Sequence, residues 1–231
     1  MSKAIFHSIP NTLTCLNLFS GCMATVVAFQ GEYQWALFLI VCSAVFDFFD
    51  GMAARLLNAH SPIGKDLDSL ADDVSFGVAP SAIVYSFLEE ICIFDFQWLP
   101  YAAFLISVFS ALRLAKFNND TRQTSSFVGL PVPANALFWA SLVVGFHDWI
   151  YTWHPLAVVA LIGCSCFLLV CELPMFSLKF KSLAWRDNRV SFLFLLVCLP
   201  LLLLGVKALA IIVLWYILLS AVTAARASRK A

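Results

Sequence analysis

The sequence predicts an all-α protein, a polytopic membrane helical bundle in which about eight helices cross the bilayer. Its composition points this way, because 62% of the 231 residues are hydrophobic and only 12% are charged. The apolar segments also have the right length, since a bilayer core takes about 20 helical residues to cross. We therefore expect a single integral membrane domain over residues 1–231 rather than a water-soluble domain.

Eight apolar segments approach the length of a membrane span. They lie at about residues 12–30, 34–58, 66–88, 97–117, 133–150, 155–173, 190–205 and 208–225. Only Leu204, Gly205, Val206 and Lys207 separate the last two segments. The sequence therefore permits two predictions for residues 190–225, either two helices or one long bent helix.

The distribution of lysine and arginine predicts how the helices are oriented. With a cytoplasmic N-terminus, the basic residues of the connectors fall on the cytoplasmic side, and only Lys207 falls on the other. The opposite connectors carry acidic and aromatic residues without lysine or arginine. Since membrane proteins retain basic residues inside, we expect both termini in the cytoplasm. We expect the first apolar run to be a retained helix rather than a cleaved signal peptide.

Charge and cysteine usage exclude several other classes of protein. The formal net charge is zero, which gives no basic surface for a nucleic acid. The eight cysteines are scattered through apolar segments without a C-x-x-C pair, and the four histidines lack the spacing of zinc ligands. We therefore expect neither a disulfide framework nor a zinc site.

Acidic residues concentrate in the stretch DFFDGMAARLLNAHSPIGKDLDSLAD, residues 47–72. Asp47 and Asp50 are three residues apart and Asp68 and Asp72 are four apart, so each pair projects from one helical face. A short turn between two antiparallel helices would bring the two faces together. Four bare carboxylates in a low dielectric would repel one another strongly. We therefore expect cations there, and an all-oxygen set of ligands suits Mg²⁺, Mn²⁺ or Ca²⁺.

Small residues and an arginine follow the first aspartate pair. Gly51 has no side chain, so a bulky ligand can approach the backbone beside Asp50. Arg55 lies one turn further on, where it suits a phosphate that metals also hold. Carboxylates, paired metals and arginine together are typical of phosphoryl transfer, in which two cations hold the attacking and leaving oxygens.

The spacing of these residues resembles the signature of the CDP-alcohol phosphatidyltransferase family. The matching positions are Asp47-x-x-Asp50-Gly51-x-x-Ala54-Arg55, then eight residues, then Gly64-x-x-x-Asp68-x-x-x-Asp72. The resemblance implies a membrane enzyme with a core of six helices. It also implies that an alcohol displaces CMP from a CDP-linked lipid, with divalent metals, two in number, held by the four aspartates.

Further stretches resemble the phosphatidylserine synthase branch of this family. They are IPNTLTCLNLFSGCMA (9–24), DSLADDVSFGVAP (68–80), ALRLAKFN (111–118) and FVGLPVPANA (127–136). Lys116 stands where the branch often has Arg, and Asn135 where it has Ala. The resemblance implies CDP-diacylglycerol and L-serine as substrates and CMP as a product. It also implies a catalytic core over about 9–175 with an added helix pair at 190–225, a homodimer, and a place among the lipids of a bacterial inner membrane with a cytoplasmic active site.

The resemblance assigns roles to individual residues. Gly51, Ala54, Arg55 and Gly64 would line the CDP side, and Asp72 would also be the base that activates the acceptor hydroxyl. Direct displacement is the default mechanism, with a covalent phosphatidyl-enzyme left open. Thr14 and Asn17 are expected either to contact the nucleotide or to join helices by hydrogen bonds. Asp66 and Asp73 are expected to be helix N-terminal or supporting groups rather than ligands.

A basic cluster near the end of the fourth segment is a candidate for the acceptor site. Its members, which would bind the serine carboxylate or a lipid phosphate, are Arg113, Lys116, Asn118 and Arg122. Basic residues at such positions also set topology or contact lipid headgroups, and both interpretations are open.

Other functions remain as alternatives. The same chemistry fits another acceptor alcohol, such as glycerol 3-phosphate or an inositol phosphate. A membrane prenyltransferase also uses aspartates and Mg²⁺, although its D-x-x-x-D or D-D-x-x-D motifs lack the following Gly-x-x-Ala-Arg. A transporter would show internal repeats, and we find no convincing repeat in the sequence.

Overall fold

The structure is a computed structural model that describes residues 2–59, 62–92, 97–119, 127–176 and 189–228. Its first half contains helices α1 (Ser2–Phe29), α2 (Tyr33–Leu56), α3 (Pro62–Asp73), α4 (Ala79–Ile91) and α5 (Leu105–Asn119). A π-helical turn, Val74–Val78, joins α3 to α4, and a 3₁₀ helix, Leu99–Phe104, leads into α5.

The second half is also helical, with helices α6 (Val132–Gly145), α7 (His147–Tyr151), α8 (Pro155–Val170), α9 (Arg189–Leu201) and α10 (Lys207–Ser228). The described strands have two residues each, β1 (Phe127–Val128) and β2 (Pro174–Met175), and pair antiparallel. The all-α fold class is therefore confirmed.

Helix length and composition support a polytopic membrane protein. Within the described ranges, five helical segments are long and apolar enough to cross a membrane: Ser8–Phe29, Tyr33–Leu56, Ile63–Ile91, Leu99–Asn119 and Lys207–Arg226. Three further apolar segments are shorter: Val132–Gly145, Pro155–Val170 and Arg189–Leu204. These eight segments correspond to the eight expected from the sequence. Three of them are too short to meet the length of a full span.

The third segment begins earlier than the sequence suggested. Its helix starts at Pro62 rather than near residue 66, which agrees with the preference of proline for the first helical turn. Gly64 consequently lies inside α3 and not in the connecting turn. The π-helical turn lies directly after Asp73, and such turns are frequent at functional sites.

The C-terminal region consists of two helices and not one bent helix. Gly205 has a φ of 59°, a left-handed conformation that glycine adopts without steric cost, and the chain reverses there. Phe194 of α9 and Tyr216 of α10 consequently pack together, with their ring centroids 6.0 Å apart. Lys207 follows the turn, and its ammonium lies 5.5 Å from the centre of the Phe146 ring.

Helix α1 is held closely against α2 and the π-helical turn. The main-chain carbonyl of Asn17 accepts hydrogen bonds from Ser43 Oγ at 3.1 Å and from Ser75 Oγ at 3.0 Å. One turn further along, Gly21 lies against Ser75 so closely that an added Cβ would be 2.7 Å from the Ser75 Cα atom. The absence of a side chain at Gly21 therefore permits the contact between the two backbones.

We expect Gly21→Ala to lower the free energy of unfolding by about 1–3 kcal/mol, because the added methyl group overlaps backbone that cannot easily move. Unfolding in mixed detergent micelles would measure the change. Gly163→Ala is the matched control, since a Cβ built there meets no other described atom within 4 Å beyond its chain neighbours and its own helix backbone. An equal loss of stability in both variants would contradict close packing at Gly21.

Candidate active site

Three aspartates converge where the end of α2 meets the start of α3. Asp47, Asp50 and Asp68 each offer a carboxylate oxygen, and these oxygens all lie within 4.8 Å of one another. Asp50 is buried, whereas Asp47 and Asp68 are half-buried. Residues distant in sequence are thus brought into a single oxygen-rich cluster, as the paired spacing predicted.

Asp72 lies beside this trio rather than within it. It is close enough to interact electrostatically with Asp47, Asp68 and Asp50. Its Oδ1 atom accepts a hydrogen bond from Asn17 Nδ2 at 3.2 Å. The fourth aspartate is therefore oriented by α1 at the edge of the cluster.

Helix α1 also orients one member of the trio. Thr14 Oγ1 donates a hydrogen bond of 2.6 Å to Asp50 Oδ2, and both residues are buried. Thr14 and Asn17 therefore join helices by hydrogen bonds, as one of the two sequence interpretations expected. Thr14 additionally lines the cavity described below, whereas Asn17 does not belong to its lining.

The acidic cluster fits a divalent cation. None of the ion pairs found among the described residues involves Asp47, Asp50, Asp68 or Asp72. Carboxylates this close, partly buried and without a basic partner, repel one another unless a cation lies between them. Oxygen ligands alone favour a hard ion over zinc or copper.

A cavity of about 970 Å³ opens beside the trio. The sequence-predicted residues that line it are Thr14, Asp47, Asp50, Gly51, Ala54, Arg55, Gly64 and Asp68. A Cβ built on Gly51 would meet only the Arg55 guanidinium, at 3.5 Å, among the described atoms, so the backbone there is open to a ligand. Arg55 Nε donates to the Gly51 carbonyl at 2.9 Å, which keeps the guanidinium at the cavity wall.

The cavity also contains polar residues that the sequence analysis did not assign to the site. Lys65 and Asn11 both line it. Each lies three residues before an assigned residue, Asp68 and Thr14 respectively, and hence on the same helical face. Helical spacing was therefore the signal that could have identified them.

The four acceptor candidates have different surroundings. Arg113 is 6% exposed, and its guanidinium lies 5.0 Å from the centre of the Phe117 ring and within electrostatic reach of Asp72. Lys116 instead donates to the Val170 carbonyl at 3.2 Å and pairs with Glu172 at 3.5 Å. The structure brings Arg113, but not Lys116, toward the aspartates.

Asn118 joins α5 to α3 near the cluster. Its Nδ2 atom donates to Ser69 Oγ at 2.7 Å, and its main-chain carbonyl accepts from Lys65 Nζ at 3.1 Å. Asn118 therefore fixes the segment that carries Asp68. Arg122, the fourth candidate, lies outside the described residues.

Comparison with known proteins defines the class of this chain. The family model for CDP-alcohol phosphatidyltransferase matches residues 7–171, so the chain belongs to that family. The family uses divalent metals, which agrees with the acidic cluster.

Several curated relatives are similar to part of this chain. The CDP-diacylglycerol–serine O-phosphatidyltransferase of Helicobacter pylori strain J99 is 39% identical over 134 residues, which are 57% of this chain and 55% of that protein. The protein of that name from Bacillus subtilis is 38% identical over 54% of this chain and 69% of its own length. The one from Mycobacterium leprae is 35% identical over 72% of this chain and 57% of its own length. An archaetidylserine synthase from Methanothermobacter thermautotrophicus is 34% identical over 62% of this chain and 61% of its own length. The matches thus span little more than half of most of these relatives.

Asp50→Asn and Asp68→Asn should each weaken Mn²⁺ binding by at least about tenfold, because even outer-shell partners change metal affinity by about 10- to 100-fold. Electron paramagnetic resonance of the purified protein titrated with Mn²⁺ would measure it. Asp66→Asn is the control, since Asp66 is an exposed acid of the same helix. Unchanged Mn²⁺ affinity in the Asp50 and Asp68 variants would contradict the metal assignment.

Proposed function

We propose that the protein transfers the phosphatidyl group of CDP-diacylglycerol to the hydroxyl of L-serine, giving phosphatidylserine and CMP. The observation that supports this most directly is the aspartate trio beside a cavity that also contains Arg55. Membership of the CDP-alcohol phosphatidyltransferase family supports the donor, and the similarity to CDP-diacylglycerol–serine O-phosphatidyltransferases supports the acceptor.

The donor's pyrophosphate would occupy the cavity between α2 and α3, with its acyl chains in the lipid. Asp47, Asp50, Asp68 and Asp72 would hold two divalent cations, Mg²⁺ or Mn²⁺, with Ca²⁺ as an alternative. Bound there, such cations neutralise phosphate charge and stabilise the leaving oxygen. Gly51, Ala54 and Gly64 leave room for the nucleotide, and Arg55 and Lys65 offer positive charge to its phosphates.

The reaction we propose is a direct displacement. The serine hydroxyl oxygen forms a bond to the phosphorus that carries diacylglycerol, and the bond from that phosphorus to the bridging oxygen breaks. The electron pair of the broken bond leaves with CMP. Asp72 accepts the proton of the hydroxyl, a role that its orientation by Asn17 and its position at the edge of the trio favour.

Arg113 is our choice for the group that binds the serine carboxylate. It is buried and within electrostatic reach of Asp72, so a carboxylate beside it would place the acceptor hydroxyl near the proposed base. Lys116 and Asn118 already have protein partners, and we assign them the support of α5 rather than direct contact with the acceptor.

Two basic residues of the cavity support a proposal for the orientation of the active site. Arg55 and Lys65 lie at the end of the bundle that contains the cavity, and basic residues favour the cytoplasmic side. We therefore propose a cytoplasmic active site in a bacterial inner membrane, with both termini on that side. The homodimer that the family resemblance implies stays a prediction, to be tested by the mass of the protein in nanodiscs.

CMP release from CDP-diacylglycerol tests the proposed reaction. Purified protein with Mg²⁺ or Mn²⁺ should release CMP about a hundredfold or more faster with L-serine than with glycerol 3-phosphate or an inositol phosphate, because a site with polar groups matched to one acceptor rejects others strongly. Faster release with glycerol 3-phosphate or an inositol phosphate would support CDP-diacylglycerol as the donor but contradict L-serine as the acceptor. No release with any alcohol would contradict the proposal.

Asp72→Asn should lower kcat by about 10²–10⁴-fold, the range for loss of a general base. The Kd for CDP-diacylglycerol should change much less, because three of the four proposed metal ligands, Asp47, Asp50 and Asp68, are intact. Single-turnover CMP release and equilibrium binding of the donor would separate the two effects. Equal losses in kcat and in the affinity for CDP-diacylglycerol would instead indicate that Asp72 is chiefly a metal ligand.

A further inference from the structure

Three polar side chains of α3 and α5 each contain a buried atom without a hydrogen-bond partner among the described residues. The atoms Asp73 Oδ1, Ser110 Oγ and Arg113 Nη2 are all buried and make no hydrogen bond to any described residue. Ser110 is 0% exposed and Arg113 is 6% exposed. Buried polar groups are nearly always hydrogen-bonded, so three unpartnered atoms in one region require an explanation.

The three side chains lie between α3 and α5, around the π-helical turn. A Cβ built on Gly77 would be 2.7 Å from Asp73 Oδ1 and 3.2 Å from Ser110 Cβ, so both side chains approach the same point beside Gly77. Ser110 and Arg113 are one helical turn apart on the buried face of α5. Arg113 in turn is within electrostatic reach of Asp72.

The chemistry of this group is complementary to an amino acid. A carboxylate and a hydroxyl, Asp73 and Ser110, accept hydrogen bonds from an ammonium group, and the Arg113 guanidinium donates to a carboxylate. No ion pair among the described residues joins Asp73 to Arg113, so neither charge satisfies the other. Asp72, the proposed base, precedes Asp73 in the chain and is within electrostatic reach of Arg113.

We propose that Asp73 and Ser110 bind the ammonium group of the amino-acid acceptor while Arg113 binds its carboxylate. This inference rests on the proposed function and assigns to Asp73 a role beyond that of a supporting group. It explains selection against phosphate-bearing alcohols, since an acceptor without an ammonium group leaves the buried Asp73 Oδ1 atom without a partner. The proposal also explains why residue 77 is a glycine, because any side chain there would displace the Asp73 carboxylate.

The decisive variant is Asp73→Asn, assayed with two acceptors. L-Serine carries the ammonium group, and 3-hydroxypropionate is the same molecule without it. We expect the variant to raise the KM for L-serine by about 10- to 100-fold, the range for losing a hydrogen bond between charged groups. The KM for 3-hydroxypropionate and the Kd for CDP-diacylglycerol should stay within about twofold of wild type. Asp66→Asn, on the exposed face of the same helix, should leave all three constants unchanged.

Ser110→Ala separates binding from a purely structural role. If the hydroxyl is only an unsatisfied buried group, its removal should leave the KM for L-serine unchanged and raise thermal stability. The proposed site instead predicts a rise in that KM of about 3- to 10-fold, again with 3-hydroxypropionate unaffected. A KM for L-serine that is unchanged in both the Asp73 and the Ser110 variants overturns the proposal, as does an equal rise for both acceptors.

Direct binding distinguishes this inference from the proposed reaction. Saturation-transfer NMR of L-serine with the purified protein measures binding without turnover. Binding that Asp73→Asn abolishes supports the ammonium site, even if wild type releases no CMP with serine and the proposed function fails. If the protein releases CMP with L-serine but Asp73→Asn leaves the KM for L-serine unchanged, the ammonium site alone is overturned. No binding of L-serine by wild type overturns it as well.

Discussion

Mutual repulsion among carboxylates is the constraint on which the rest of this structure depends. Carboxylate oxygens lie within 4.8 Å of one another at Asp47, Asp50 and Asp68, in an otherwise apolar bundle. Asp72 is close enough to interact electrostatically with all three. Such an arrangement is unfavourable unless the protein holds the side chains in place and a cation offsets their charge. The surrounding helices can be understood as the support for this cluster.

Helix α1 provides much of that support without contributing an acid. Thr14 and Asn17, about one turn apart, donate to Asp50 and Asp72, and the Asn17 carbonyl accepts from serines of α2 and of the π-helical turn. The same helix therefore positions one aspartate from each of the two acid-bearing helices. Because Gly21 allows α1 to approach the π-helical turn, these hydrogen bonds form at short range.

The sequence predicted the fold class, the apolar segments and the aspartate cluster because each leaves a local pattern. Hydropathy reports spans directly, and spacings of three and four residues place Asp47 with Asp50 and Asp68 with Asp72. The start of α3 at Pro62 and the reversal at Gly205 were harder to predict, because a helix boundary depends on single residues and on tertiary packing. Three apolar segments form helices shorter than a full span, since hydropathy alone does not locate where a helix ends.

Side-chain partnerships across helices left no such pattern. The pairing of Lys116 with Glu172 and the contact of Lys65 with the carbonyl of Asn118 depend on how α5 lies against its neighbours. The same holds for Asp73, which sequence analysis placed among supporting groups. Its relation to Gly77 and Ser110 became visible only from the distances across the π-helical turn.

The π-helical turn also fixes how far α3 is rotated about the helix axis relative to α4. A π-helical turn closes its hydrogen bond over one more residue than an α-helical turn, so Val74–Val78 accommodates one extra residue between α3 and α4. Regular α geometry over the same five residues would rotate the acid-bearing half by about 100° relative to α4, because each α-helical residue turns the chain by that angle. With α4 anchored in the core, the aspartates would then swing away from α1 and α5. The π geometry of this single turn thus sets the angular register of the whole acidic face.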